Sequence, residues 1–300
     1  MIQLRSLRKV FSQRVAVAGL DLHVPRGVVF GLLGHNGAGK STTIGMLLGQ
    51  VWPTGGEVRV CGHDVLGQRA KALARVGAIF EAPVFYDYLS GWRNLEILAS
   101  YSARTPKERL REVVAWVGLA GREHSLVRTY SHGMRARLAL AQALLPAPEL
   151  LILDEPTNGL DPEGIHEMRE TIRRLHAEFG LTILLSSHLL SEVQQLCPRI
   201  AVLHQGAKVF DGTLAEATRT RDRVRLVTDD FSAAAAELGR SGLITGAEEG
   251  EFLCLAAGAT PAQVVKRLVE LGFPVHAITR EESTLEQFYL SLVKKSPPPA

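Results

Sequence analysis

The stretch "GVVFGLLGHNGAGKSTTIGMLLGQVW" constrains this chain more than any other. An apolar run, Val28 to Leu33, reads as a buried strand. Gly34, Gly39, Lys40 and Ser41 then satisfy the spacing G-x-x-x-x-G-K-[ST], and a helix begins near Lys40. Strand, glycine loop and helix in that order make a phosphate cradle. Glycines let successive backbone N–H groups converge on phosphate oxygens with no Cβ in the way, and the helix N-terminus adds its dipole. Lys40 would reach the β- and γ-phosphates, and Ser41 would ligate Mg²⁺. A merely structural glycine turn has no need of a lysine and a hydroxyl side by side.

A second constellation lies in "ELLILDEPTNGLDP". Leu150 to Leu153 form a continuous apolar run, as in a strand covered on both faces. Asp154, at its end, would hold Mg²⁺ through water, and Glu155 is placed to polarise a water for attack on a γ-phosphate. A helical stretch from Pro162 to Phe179 leads into a third strand, "LTILLSSH". Strands alternating with helices predict a mostly parallel sheet between helical layers, an α/β core of the P-loop NTPase (RecA-like) kind.

Between these units, Tyr86 to Pro148 reads as helical throughout, with "GWRNLEILASYSA", "PKERLREVVAWVGL" and "GMRARLALAQALL". In the last, Leu138, Ala141 and Leu145 recur at helical spacing and would face a core. The segment is expected to be a helical subdomain inserted into the α/β core. The first domain is expected to span 1–220.

Beyond Thr220 the texture changes. "RVRLVT" is strand-like, "FSAAAAELGRSG" helix-like, "LITGAEEGEFLCLA" a hairpin, "TPAQVVKRLVELG" a capped amphipathic helix and "PVHAITR" a strand. That order, βαββαβ, predicts a small ferredoxin-like α+β domain over 221–293, closed by a helix, "STLEQFYLSLV". The end, 294–300, reads as a disordered tail.

With 300 residues, 46% of them hydrophobic, the chain can bury a large core. Its 34 Lys plus Arg against 31 Asp plus Glu leave +3, too little for a general binder of nucleic acid or anionic membrane. Cys61, Cys197 and Cys254 are odd in number and lack metal-ligand spacing, which suits reduced structural thiols in the cytoplasm. No run reaches the length needed to cross a bilayer, so a role at a membrane would pass through a partner.

Taken together, these motifs resemble those of the ATP-binding subunits of ABC transporters, over Met1 to about Gly212. "GHNGAGKST" is similar to the Walker A loop, so that Gly34, His35, Asn36, Gly37, Ala38, Gly39, Lys40, Ser41 and Thr42 would bind ATP. "LLILDEPT" is similar to Walker B, "NGLD" to the D-loop and "SSH" to the switch segment. The resemblance implies adenine stacking on Phe11, catalytic roles for Glu155 and His188, and coupling of two sites through Asp161. The family's LSGGQ-type loop corresponds to "YSHGMRARL", where Ser131, His132, Gly133 and Met134 would meet a γ-phosphate on another subunit. Ser131 offers a hydroxyl, Gly133 close backbone approach and the following helix its positive end. As an ordinary N-cap, Ser131 would serve both tasks.

Two departures stand out. His132 and Met134 replace the usual Gly and Gln of the loop, and Glu81 stands where a glutamine usually links Mg²⁺ to the membrane partner. A weakly hydrolysing site is one reading. An active ATPase is favoured, because a carboxylate at 81 can still ligate Mg²⁺ and Lys40, Asp154, Glu155 and His188 are intact. "IFEAPVFYDYLSGWRNLEILA" and "YSHGMRARLALAQALL", with Leu285 to Phe288, are similar to the subgroup serving bacitracin and lantibiotic immunity and drug export. The resemblance implies ATP and Mg²⁺, a separate transmembrane permease, a second ATP-binding subunit, no nucleic acid, and a cytoplasmic place on the inner face of the cell membrane. The permease-gripping groove would lie near Glu81 and Tyr86 to Ala103. Alternatives are a soluble ABC-type ATPase of translation or DNA metabolism, and an ATP-binding regulator without hydrolysis.

Overall fold

The computed structural model describes residues 1–80, 84–101, 105–218, 223–248, 251–280 and 284–295. Its contacts divide the chain into two units: Met1–Leu214 together with the chain from Tyr289, and Ala215–Phe288. In chain order the elements are β1 (Ile2–Phe11), β2 (Arg14–Val24), β3 (Val29–Leu33), α1 (Lys40–Leu47), β4 (Gly55–Val60), β5 (His63–Asp64), α2 (Arg69–Leu73), β6 (Val76–Ile79), α3 (Gly91–Tyr101), α4 (Lys107–Trp116), α5 (His132–Leu144), β7 (Leu150–Asp154), α6 (Pro162–Phe179), β8 (Thr182–Ser187), α7 (Leu190–Leu196), β9 (Arg199–His204) and β10 (Ala207–Thr213). There follow α8 (Leu214–Ala217), β11 (Arg223–Val227), α9 (Phe231–Arg240), β12 (Ile244–Glu248), β13 (Phe252–Leu255), α10 (Pro261–Glu270), β14 (Ala277–Arg280) and α11 (Leu285–Lys295).

The first unit is built on a six-stranded sheet in the order β10-β9-β3-β8-β7-β6, parallel except for β10. β3, β7 and β8 are buried along their whole length, which is why each carries a run of consecutive apolar residues, with polar side chains only at the ends of β7 and β8. Phe30, Leu32, Ile44, Met46, Ile152 and Leu184 belong to one core cluster, each of the larger ones worth roughly 1.5–3 kcal/mol of burial. Register then positions the site. Leu33 pairs with Ser187 and Asp154 with Ser186, so the loops that leave β3, β7 and β8 emerge side by side at the carboxyl edge.

The second sheet, an antiparallel layer in the order β2-β1-β4-β5, has no clear signal in the sequence pattern. The cause is visible in β1. Ser6 has φ +45°, and the pairing with β2 shifts between Leu4 and Leu7, so its alternation of buried and exposed residues is broken mid-strand.

The inserted segment is not helical throughout. α3, α4 and α5 form, but the chain between Trp116 and His132 turns at Gly118 (φ +69°) and Gly121 (φ +83°) and holds only the short 3₁₀ turn Val127–Thr129. Those left-handed glycines end the helical run. Leu138, Ala141 and Leu145 are buried as their spacing predicts.

In the second unit the sheet order is β12-β13-β11-β14, every pair antiparallel, so the first and third strands of the βαββαβ order lie in the middle. Its core gathers Val224, Leu226, Leu238, Leu253, Val264 and Leu268. Thr260 and Gln263 form the capping box that starts α10. α11 runs to Lys295, and the rest of the expected tail, 296–300, lies outside the described residues. Among the described residues no disulfide forms between Cys61, Cys197 and Cys254.

Candidate functional site

The loop between β3 and α1 has its shape because two glycines leave no room for a side chain. A Cβ on Gly34 would lie 2.6 Å from the Leu203 carbonyl oxygen and 2.7 Å from the Ala38 Cβ. A Cβ on Gly39, which has φ +105°, would lie 2.6 Å from the Ala16 carbonyl oxygen. Lys40, 4% exposed, is the first residue of α1, and its Nζ donates to the Gly34 carbonyl at 2.7 Å. The same ammonium is 3.4 Å from Glu155 Oε1.

Glu155 sits one residue past β7 with φ +49°, an uncommon conformation for a side chain of its size. Neighbouring β8 holds it there. The Glu155 N–H donates to the Ser186 carbonyl at 3.1 Å, and the Ser186 hydroxyl donates to the Asp154 carboxylate. His188, next after β8, brings Nδ1 to 2.8 Å from Glu155 Oε2. Three chain segments far apart in sequence thus converge on one carboxylate, with Lys40 on one oxygen and His188 on the other.

Two cavities flank this cluster. One, of about 570 Å³, brings Phe11 together with Asn36, Gly37, Gly39, Lys40, Ser41, Thr42 and Glu155. Phe11 is 47% exposed, and the Lys9 ammonium lies 4.6 Å from its ring centroid. Arg14, which sequence reading passed over, lines the same cavity and comes within 3.2 Å of where a Gly37 Cβ would be. The other cavity, of about 580 Å³, is lined by Asn36, Ser41, Asp154 and Glu155 and also by His132 and Arg135 at the start of α5.

The remaining expected residues take other places. Ser131 is the N-cap of α5, its hydroxyl accepting from the Met134 N–H at 3.2 Å, and a Cβ on Gly133 would meet the Ser131 Oγ at 3.9 Å, an ordinary contact. Asp161 caps α6 by accepting from the Gly164 N–H at 2.9 Å. Ala38 is buried, and His35, itself exposed, meets Tyr289 of α11 edge to face, the ring centroids 4.9 Å apart. Burial pushes the Tyr289 hydroxyl pKa up. Glu81 lies outside the described residues.

The oxygen donors fit a magnesium ion. Ser41 and Asp154, a hydroxyl and a carboxylate, line one cavity. That is the sparse set from which Mg²⁺ keeps waters and takes phosphate oxygens as further ligands. Among the described residues no helix is long and apolar enough to cross a membrane.

Comparison with known proteins places this geometry. Residues 17–158 match the family model described as ABC transporter. The bacitracin transport ATP-binding protein BcrA of Bacillus licheniformis is 36% identical over 306 residues, covering 98% of this chain and 97% of the relative. The chain belongs to the ABC transporter family. It is an ABC ATPase, the ATP-binding partner in a transport system. The daunorubicin/doxorubicin resistance ATP-binding protein DrrA of Streptomyces peucetius is 36% identical, covering 97% of this chain and 92% of that one. A solved ABC cassette, the dimeric post-hydrolysis state of MJ0796 bound to ADP and Pi, superposes with a TM-score of 0.64 at 21% identity, over 71% of this chain and 99% of that one. The likeness to BcrA and DrrA matches the subgroup that the sequence resembles.

Proposed function

We propose that this ABC ATPase powers export of a drug, antibiotic or peptide by a separate membrane-spanning permease, at the inner face of the cell membrane. The observation that carries the catalytic reading is the Glu155 carboxylate, within 3.4 Å of Lys40 and 2.8 Å of His188, at the rim of a cavity that also holds Ser41 and Asp154. ATP enters with its adenine on Phe11 and its phosphates on the loop from Gly34 to Thr42. The γ-phosphate draws Lys40 from Glu155, which leaves the carboxylate free to orient water. As the water oxygen bonds to phosphorus, its proton passes to Glu155, the bond to the bridging oxygen breaks and ADP leaves with the electron pair. His188 holds the carboxylate in place. Mg²⁺, when bound by the Ser41 hydroxyl and, through water, by Asp154, offsets the charge of the phosphates.

Names of relatives support the cargo class: BcrA is a bacitracin transport protein and DrrA a daunorubicin/doxorubicin resistance protein. The dimeric state of MJ0796 supports pairing of two ATP-binding subunits. In such a pair each Ser131 to Met134 loop would meet the other subunit's γ-phosphate, the helix N-terminus facing the anion. Asp161 couples the two sites through the loop it ends.

The test is Glu155→Gln. Turnover is expected to fall by about 10²–10⁴-fold, the usual share of a general base. ATP should still bind and should drive the variant into dimers in sedimentation, alone or with its permease. A variant that binds ATP, stays monomeric at every concentration and turns over at the native rate would end this reading.

A further inference from the structure

Glu192 lies on α7, away from both cavities, and is 2% exposed. A carboxylate taken out of water is costly unless its oxygens are hydrogen-bonded, so its partners explain its presence. One oxygen accepts the hydroxyl of Thr157, and the other accepts the hydroxyl of Ser187 at 2.9 Å. The Ser187 oxygen in turn accepts the Leu189 N–H at 2.9 Å. Thr157 and Ser187 are themselves buried.

The placement of those hydroxyls is what matters. Thr157 stands two residues after Glu155, and Ser187 and Leu189 bracket His188. One carboxylate therefore clamps both segments that bring the acid and the imidazole to 2.8 Å. It clamps them just beyond the strained φ of +49° at Glu155, a conformation that persists only where the surroundings over-determine it. We infer that Glu192 is a positioning residue for ATP hydrolysis, setting the geometry of Glu155 against His188 through the Thr157 and Ser187 hydroxyls. This rests on the catalytic reading of Glu155.

The experiment measures ATP turnover with Mg²⁺, and melting temperature, on the full chain for Glu192→Gln, Thr157→Val, Thr157→Ser and Glu155→Gln. Gln at 192 keeps one acceptor but offers an NH₂ in place of the other, so one hydroxyl must turn and accept instead of donating, and the clamp loses its charge. We expect kcat to fall about tenfold to a hundredfold, as displacements near 1 Å do, while KM for ATP stays within about threefold. Thr157→Val should show a loss of the same kind, Thr157→Ser should restore native turnover, and Glu192→Gln with Thr157→Val should lose no more than Glu192→Gln alone. A lower melting temperature with native kcat in Glu192→Gln would overturn the inference, as would equal losses in Thr157→Val and Thr157→Ser. Should Glu192→Gln not fold, the Thr157 pair decides alone. Native turnover in Glu155→Gln would instead remove the catalytic reading; its loss there alongside native turnover in Glu192→Gln would remove the positioning role only.

Discussion

Replacing Gly39 by alanine asks how much of the phosphate loop's shape depends on a missing methyl group. Gly39 has φ +105° and ψ +3°, and a Cβ there would meet the Ala16 carbonyl oxygen at 2.6 Å. The backbone conformation costs a side-chain residue about 1–3 kcal/mol. Pressing a methyl group against a fixed carbonyl adds about 1–3 kcal/mol. Gly37 is the control. It too has positive φ, +83°, but its Cβ would meet only the Arg14 guanidinium, at 3.2 Å, the free end of a flexible chain. Gly37→Ala should therefore cost the conformational part alone, about 1–2 kcal/mol. For a unit of this size each kcal/mol lowers the melting temperature by roughly 2–4 °C, so about 4 kcal/mol for Gly39→Ala means roughly 8–16 °C, and about 1–2 kcal/mol for Gly37→Ala roughly 2–8 °C. Calorimetry without nucleotide reads the difference. Any part of the clash relieved by moving the loop should appear as weaker binding of a fluorescent ATP analogue, about tenfold for each 1.4 kcal/mol. Equal losses of stability and affinity in the two variants would refute the assignment of cost to the Ala16 contact.

Other outcomes follow from the same geometry. Asp161→Ala removes the N-cap of α6 and should cost about 1 kcal/mol in a thermal melt, whereas Asp161→Asn keeps an acceptor, so a turnover loss in Asn reports coupling between sites. Ser131→Arg should abolish turnover and His132→Gly should leave it within a few fold at neutral pH, since the hydroxyl caps α5 and the His132 ring is exposed; a phosphate-release assay compares them. Burial pushes the Cys197 thiol far above its ordinary 9.0. The folded state then keeps a proton that the unfolded state releases, so this contribution is complete below pH 9 and is lost above it by about 1.4 kcal/mol per pH unit. Denaturant melts from pH 8 to 10 should show a shallower decline in Cys197→Ala.

Much of the catalytic edge was legible because its signals are local. A strand from Val28 to Leu33 became β3, the helix began at Lys40, and the run from Pro162 to Phe179 is α6 at both ends. Walker A holds its residues within one strand, the turn after it and the first turn of α1, and Walker B within one strand and the turn after it, so spacing alone conveys geometry. Glu192 shows the opposite case. In "LSEVQQL" it reads as one acid on a short polar helix, because its two partners come from the turn after β7 and the end of β8. The antiparallel sheet escaped notice because a bulge resets the period-two pattern inside β1. Arg14 gave no signal either: its only mark is a place in the β1–β2 hairpin, which the fold brings over Gly37.

Tyr289 against His35 carries one more consequence. The motif leaves the second residue of the phosphate loop unspecified, and a reader of the motif alone would treat position 35 as neutral to drift. In this chain it forms a ring pair with the last helix. Across homologues, positions 35 and 289 should therefore vary as a matched pair, with loss of the aromatic at 289 accompanied by a smaller or more polar residue at 35. Sequence diversity, gathered without any assay, would record that linkage.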